Sequence, residues 1–362
     1  MGSTVTVPQT RSMSGEELSA DDAWETLRKY GGWHFVRDSF TRFRYGDGMS
    51  HSRALAFQIC LAIIPGAIAV VGLSAVTHQE ELGRVLRLTL SALAPGGGAE
   101  AVAQVLAGGN GTRDELALWL GLATTLAALA SAMAQFERGA NRIYGVERDR
   151  PFHRKYARAV VLALTAGICM ITGFTVLVGG GELGDALSET YGWGAGARQA
   201  FALVRWPIGF LLALASTVTL FRASPRRRQP GHTWLAAGAL VALGLWTLFT
   251  LALAAYTEYN SSFGATYGPL TAVMALLLWS FLSSIALFLG LAFAAQLEAC
   301  RAGCVEPAHP DSGPTATEER EPLVGEVGSA MIGAVRGLFR RRRPARGRQD
   351  GSGARGDVNH AS

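Results

Sequence analysis

Six apolar runs, each about as long as a bilayer is thick, constrain this chain more than anything else in it. They are Ala54–Val76, Leu116–Ala134, Ala159–Gly180, Val204–Phe221, Leu235–Tyr256 and Pro269–Ala295. A hydrocarbon core of roughly 30 Å needs about 20 apolar residues in helical form. Backbone donors and acceptors in lipid must be paired within a helix or a closed barrel. These runs are too long for barrel strands and do not alternate, so they predict helices. The expected fold is all-α, a polytopic bundle of six spanning helices. Charge supports this, because only 17% of the residues are charged, against about 25% in soluble domains. The charges crowd into the ends and a few short loops.

Orientation follows from the lysines and arginines, which collect on the cytoplasmic side of a membrane protein. Taken alternately, the segments outside the runs divide them sharply. The N-terminal segment, the loops after the second and fourth runs and the C-terminal tail hold 28 of the 33. Both termini are therefore expected in the cytoplasm. No short apolar stretch with a small-residue cleavage site precedes the first run, which is expected to serve as an uncleaved insertion signal. The net charge of +5 is read as topology and attraction to anionic lipid rather than nucleic-acid binding.

Outside the spans, residues 1–22 read as a disordered N-terminus and residues 299–362 as a mostly disordered basic tail. From about Ala23 to Tyr45, Trp33, Val36, Phe40 and Phe43 recur at helical spacing, with Arg37, Arg42 and Arg44 between them. That pattern suits an amphipathic helix at the interface, aromatic face toward lipid and basic face toward headgroups. A helix packed on the ends of the spans has the same pattern. The longest outer loop, Thr77–Glu115, suits a helical hairpin or a lid. In the tail, Leu323–Phe339 has a helical apolar pattern and runs into Arg340, Arg341, Arg342 and Arg343, which are expected to contact lipid headgroups.

Chemistry is conspicuously missing from the pattern. No H-E-x-x-H, G-x-x-x-x-G-K-[ST] or G-x-S-x-G motif occurs. The seven histidines are scattered outside the spans at no metal-binding spacing, so no catalytic residue, metal or cofactor is expected and an enzyme is disfavoured. Ion-coupled transport usually needs a carboxylate within the membrane, and the runs offer only neutral groups. Arg205 stands at one margin, with Glu137 and Glu298 just beyond two ends. Two residues in the first span stand out as interior polar and hinge candidates. Gln58 lies one turn in, and Pro65 lies mid-span, where it removes a helix hydrogen bond. A kink there is equally a hinge and static packing. Cys60, Cys169, Cys300 and Cys304 imply no disulfide framework.

Several pieces also line up with a known family. The first span begins Arg53-Ala54-Leu55-Ala56-Phe57-Gln58 and reaches Ile64-Pro65-Gly66. Asn141-Arg142-Ile143-Tyr144 follows the second span. Tyr267-Gly268-Pro269-Leu270-Thr271-Ala272-Val273 opens the sixth, which continues through Leu277-Leu278-Trp279 to Leu289-Gly290. Over about Trp24 to Glu298 the chain resembles the YihY/virulence factor BrkB family of bacterial inner-membrane proteins. The resemblance implies a six-helix protein of the plasma membrane without an established activity. Transport-like, envelope-related and virulence-related roles have been suggested for its members. The family has also carried the label ribonuclease BN, for which this chain offers no residues. One departure is plain: where the family usually reads Leu-Gly-Ala-Glu-Leu-Asn-Ala, this chain has Leu289-Gly290-Leu291-Ala292-Phe293-Ala294-Ala295. Translocation or handling of a lipid-like envelope component is the leading expectation, and a membrane scaffold acting through the outer loop and basic tail is the alternative. The partners expected are membrane lipids, anionic headgroups included, with a homo-oligomer left open and no nucleic acid.

Overall fold

The computed structural model describes residues 5–11, 18–77, 114–178, 194–259 and 271–310. These lie in a compact unit spanning Met1–Asp311, and a second unit takes in Ser312–Ser362. Most of the loop Thr77–Glu115, residues 179–193 and 260–270 and the tail with Arg340–Arg343 fall outside the described residues.

Helices account for nearly all of the described chain. They are α1 (Ala20–Tyr30), α2 (Trp33–Tyr45), α3 (Gly48–Thr77), α4 (Asp114–Ile143), α5 (Phe152–Leu162), α6 (Ile168–Val178), α7 (Ala195–Ala223), α8 (His232–Tyr259) and α9 (Thr271–Arg301). A five-residue π-type turn, Ala163–Gly167, joins α5 to α6. The exception is a two-residue antiparallel pairing of Val5–Thr6 with His309–Pro310. Among the described residues, five stretches are long and apolar enough to cross a membrane: Leu118–Ile143, Phe152–Gly173, Gly196–Ala223, His232–Thr257 and Val273–Arg301. The first predicted run lies within the 30 residues of α3.

The predicted runs and the helices differ at their margins for a physical reason. Helix α4 continues nine residues past the apolar run, to Ile143, because its last turns enter protein rather than water, where Ala140 and Ile143 are fully buried. Helix α7 begins at Ala195, so Arg205 and Pro207 lie inside it and not in its first turn. The single amphipathic helix expected from Ala23 to Tyr45 is broken at Gly31-Gly32, where Gly32 adopts φ 129°, a conformation open to glycine. Helix α1 then starts from a capping box. Ser19 N donates to Asp22 Oδ2 at 3.0 Å, and Asp22 N donates back to Ser19 Oγ at 3.3 Å. Nor do residues 5–11 behave as a loose terminus: Thr10 is buried, and its N–H donates to the Tyr144 carbonyl at 3.1 Å.

Helix α9 is the centre of the bundle. Half of its apolar stretch is buried, against 28% in each of the other four. It packs on α8, α3 and α2. Its approach to α8 is set by two glycines, since a Cβ built on Gly290 would lie 2.6 Å from the Gly238 carbonyl oxygen and 2.5 Å from Ala242 Cβ. Small residues permit this close packing where no water-driven association is available. Aromatic rings fill the core where α3, α5 and α8 begin and α4, α7 and α9 end. Phe136 stacks on Phe288 with centroids 5.0 Å apart, and Phe35 meets Phe293 edge-on at 4.9 Å. The segments joining the helices there carry Arg148, Arg150, Arg226, Arg227 and Arg228, so we refer to the arginine-bearing end.

Candidate functional site

At the arginine-bearing end a network of polar groups is buried under the loops. Arg42 is its centre. The sequence pattern places Arg42 on a basic face toward headgroups, but the fold turns it inward, leaving 1% of it exposed. Its Nε donates to Gln296 Oε1 at 2.9 Å, and its Nη1 donates to Thr10 Oγ1 at 2.9 Å and to the Ile143 carbonyl at 3.3 Å. Burial pushes its pKa down to about 10, which leaves it charged at neutral pH. Phe35, Ser39 and Phe43 share its buried face, while Trp33, Val36 and Phe40 are exposed on another.

Two carboxylates at helix ends are matched by arginines from the loops. Glu298 of α9 pairs with Arg227, whose guanidinium lies 4.6 Å above the Tyr144 ring. Burial pushes the Tyr144 hydroxyl well above its ordinary pKa. Glu137 of α4 lies 2.9 Å from Arg150 Nη1. That contact is an ion pair without hydrogen-bond alignment, because the Glu137 oxygen has no geometric donor. Arg150 also donates to the Ser224 and Pro225 carbonyls, at 2.8 and 2.9 Å, and so satisfies the C-terminal end of α7. Asn141 bridges the two loops: its Nδ2 donates to Asp149 Oδ1 at 2.8 Å, and its Oδ1 accepts from the Arg226 N–H at 2.8 Å. Partial burial raises the Asp149 pKa, but hydrogen bonds from Lys155 and Asn141 outweigh it and the net shift is downward. The Asn141-Arg142-Ile143-Tyr144 segment thus acts through Asn141 and Tyr144 as a clasp between the α4–α5 and α7–α8 connections.

A second feature lies on the flank of the bundle. Helices α3, α8 and α9 leave an open groove of about 530 Å³. Ala56, Phe57, Tyr256, Leu277, Leu278 and Phe281 are among its lining residues, together with Met274 and Arg53. Its walls are largely apolar, and Arg53 supplies the single charge among the described residues that line it. The Arg53 side chain leans back along α3 toward Ser50, with Nη2 3.5 Å from Ser50 Oγ.

Neither Gln58 nor Pro65 lines this groove, although both share α3 with Arg53 and Phe57. Gln58 is half-buried. Pro65 lies on the α4 side: a Cβ added to Gly121 would sit 3.1 Å from the Pro65 carbonyl oxygen and 2.8 Å from Ala69 N. The neutral polar groups of the spans mostly bond to their own helices. Thr125, Ser131, Thr217, Thr247 and Ser284 each donate to the carbonyl four residues back. Ser216 reaches across instead, to the Ala166 carbonyl in the π-type turn at 2.6 Å.

Arg42, Gln296, Asn141 and Tyr144 were not singled out by sequence reasoning as functional groups. Glu137 and Glu298 were visible as carboxylates at the ends of apolar runs, opposite basic loops. Nothing in the spacing indicated which arginine each would take.

Comparison with known proteins agrees with this architecture. The family model described as "Virulence factor BrkB" matches residues 39–314. A ribonuclease-like protein, YfkH, of Bacillus subtilis (strain 168) is 23% identical over 259 residues, covering 71% of this chain and 92% of the relative. A UPF0761 membrane protein of Chromohalobacter salexigens is 28% identical over 271 residues, covering 72% of this chain. The match spans 62% of that relative's length. No solved structure matches. With multiple apolar helices and a family match over most of its length, this chain belongs to the virulence factor BrkB family of membrane proteins.

Proposed function

We propose that this protein is a non-catalytic, six-helix protein of the bacterial inner membrane, with both termini cytoplasmic, that handles a lipid-like envelope component. The observation that carries the reading is the groove between α3, α8 and α9, apolar and open to the side, with Arg53 the one charge among the described residues that line it. A phospholipid matches both parts, its chains along the apolar wall and its phosphate toward the guanidinium. Arg53 stands in the second turn of α3, at the height where a headgroup would lie if α3 is the first span. With Trp33, Val36 and Phe40 exposed on one face of α2, that helix is suited to lie at the same interface. Among the described residues that line the groove there is no carboxylate, and we take the proposed movement to be uncoupled from ions.

Reconstitution of the full chain into liposomes with fluorescent phospholipids tests the reading. Labelled lipid is expected to change leaflet faster than in empty vesicles. Leu278→Trp, which fills the groove, is expected to slow that exchange at least several-fold in protein that still folds. Exchange no faster than in empty vesicles would favour the alternative, a scaffold acting through its outer loop and tail.

A further inference from the structure

A second recess lies at the arginine-bearing end, apart from the groove. It is a cleft of about 450 Å³ between α5, the last turns of α7 and the start of α8. Arg158 comes from α5, Thr219 and Arg222 from α7, Arg228 and Gln229 from the α7–α8 connection and His232 from the first position of α8. Three arginines thus line one small volume, and no carboxylate is among the described lining residues. The two buried carboxylates at this end are already engaged. Glu137 is paired with Arg150, and Glu298 is paired with Arg227.

All three arginines and His232 are exposed, so water and salt screen their mutual repulsion, and an anion in the cleft would offset what remains. Two of the three are tethered. Arg158 Nε donates to the Ala223 carbonyl at 2.9 Å, anchoring that side chain against the C-terminal end of α7. Arg222 Nη1 lies within 2.6 Å of both ring nitrogens of His232, which brings the second guanidinium to the same wall of the cleft. His232 heads a 28-residue helix, whose first N–H groups and dipole add positive potential at the same place. Planar guanidinium donors match the oxygens of a phosphate in pairs.

We propose that this cleft is a binding site for a phosphate group. It lies where the apolar stretches of α5, α7 and α8 meet their basic loops. A phospholipid headgroup and a free phosphate share the chemistry, and the test separates them. The site does not depend on the groove, and lipid exchange can fail while phosphate binding succeeds.

The test uses the full chain in a neutral detergent and follows its thermal unfolding and intrinsic tryptophan fluorescence. The probes are inorganic phosphate, dihexanoyl phosphatidic acid and, as a zwitterionic control, dihexanoyl phosphatidylcholine. Saturable binding of phosphatidic acid, at least tenfold tighter than phosphatidylcholine, is expected. Arg222→Gln/Arg228→Gln is expected to weaken it at least tenfold, and Arg37→Gln, an exposed arginine on α2, to leave it unchanged. Competition by millimolar inorganic phosphate would identify a free phosphate ligand, and its absence a lipid headgroup. Arg228→Gln alone, at an exposed position, serves if the double variant fails to fold, with a loss of at least threefold expected. The proposal is overturned if no phosphate probe saturates. It is also overturned if the cleft variants bind as the parent does, or if Arg37→Gln loses as much.

Discussion

The two halves of this bundle are held together by different means. At the arginine-bearing end, stacked rings and buried pairs link four helices, two loops and the N-terminal segment around Thr10. Phe221, Trp234, Phe288 and Leu297 there are at most 1% exposed. Toward the other end the same helices present Leu203, Trp206, Leu211, Leu248, Leu251 and Tyr259 outward, each 58% exposed or more. In water such a surface would be a large aggregation hazard. In hydrocarbon it costs nothing, since lipid tails are as apolar as leucine. The lesson is that a membrane protein concentrates its specific contacts where solvent changes. Polar pairing there fixes which helix stands beside which, and the lipid-facing half needs shape and hydrophobicity more than partners.

This contrast can be broken most sharply at Glu298. Glu298→Ala leaves Arg227 charged and buried without its partner, a change that costs about 3–5 kcal/mol at such sites. Loss of folded protein in detergent, read as a collapse of the monodisperse size-exclusion peak, is the expected result. Arg227→Met/Glu298→Leu should recover much of it, because a matched apolar pair removes the orphaned charge. An unfolding midpoint unchanged in Glu298→Ala would mean that the pair is not a fastening.

A smaller effect is expected from packing. Gly290→Ala places a methyl against Ala242 and the Gly238 carbonyl, and overpacking of this kind costs about 1–3 kcal/mol. Equilibrium unfolding in mixed micelles measures it, and Gly244→Ala, with open space around it, is the control.

Acid should act on the polar half alone, and modestly. The Asp149 pKa is lowered on folding, so its contribution is present above the unfolded carboxylate pKa of about 3.9 and is lost as pH falls through the folded value. Because the Asp149 side chain is 42% exposed, screening keeps the effect under about 1 kcal/mol. The unfolding midpoint of the parent should drop between about pH 5 and pH 3 by more than that of Asp149→Asn. The smallest effect belongs to the lipid-facing half: Leu251→Ala should shift stability by less than about 0.5 kcal/mol. A loss comparable to that of Gly290→Ala would show that the outer surface is a protein interface.

The sequence made the lipid-facing half legible and left the other half largely hidden. Hydrocarbon selects on composition, and composition can be counted, so the apolar runs and their helical state follow directly. Family membership was also readable, from the order of short motifs. Helix ends were less readable, because a helix that continues into protein, as α4 does to Ile143, leaves the apolar run before it stops. The buried network was the least readable. Arg42 and Arg44 are two residues apart in equivalent surroundings, yet packing against α9 buries one and exposes the other. The partners of Arg42 come from three distant points in the chain, which no local pattern reveals.

That separation bears on the order of assembly. Gln296, an acceptor for Arg42, lies 254 residues downstream of it. A ribosome delivers α2, Thr10 and Ile143 long before it delivers the end of α9, so Arg42 lacks its Gln296 acceptor until α9 is made. Only then does the cover over its guanidinium close. A nascent or truncated product lacking α9 would therefore carry an unsheathed charge at the membrane surface.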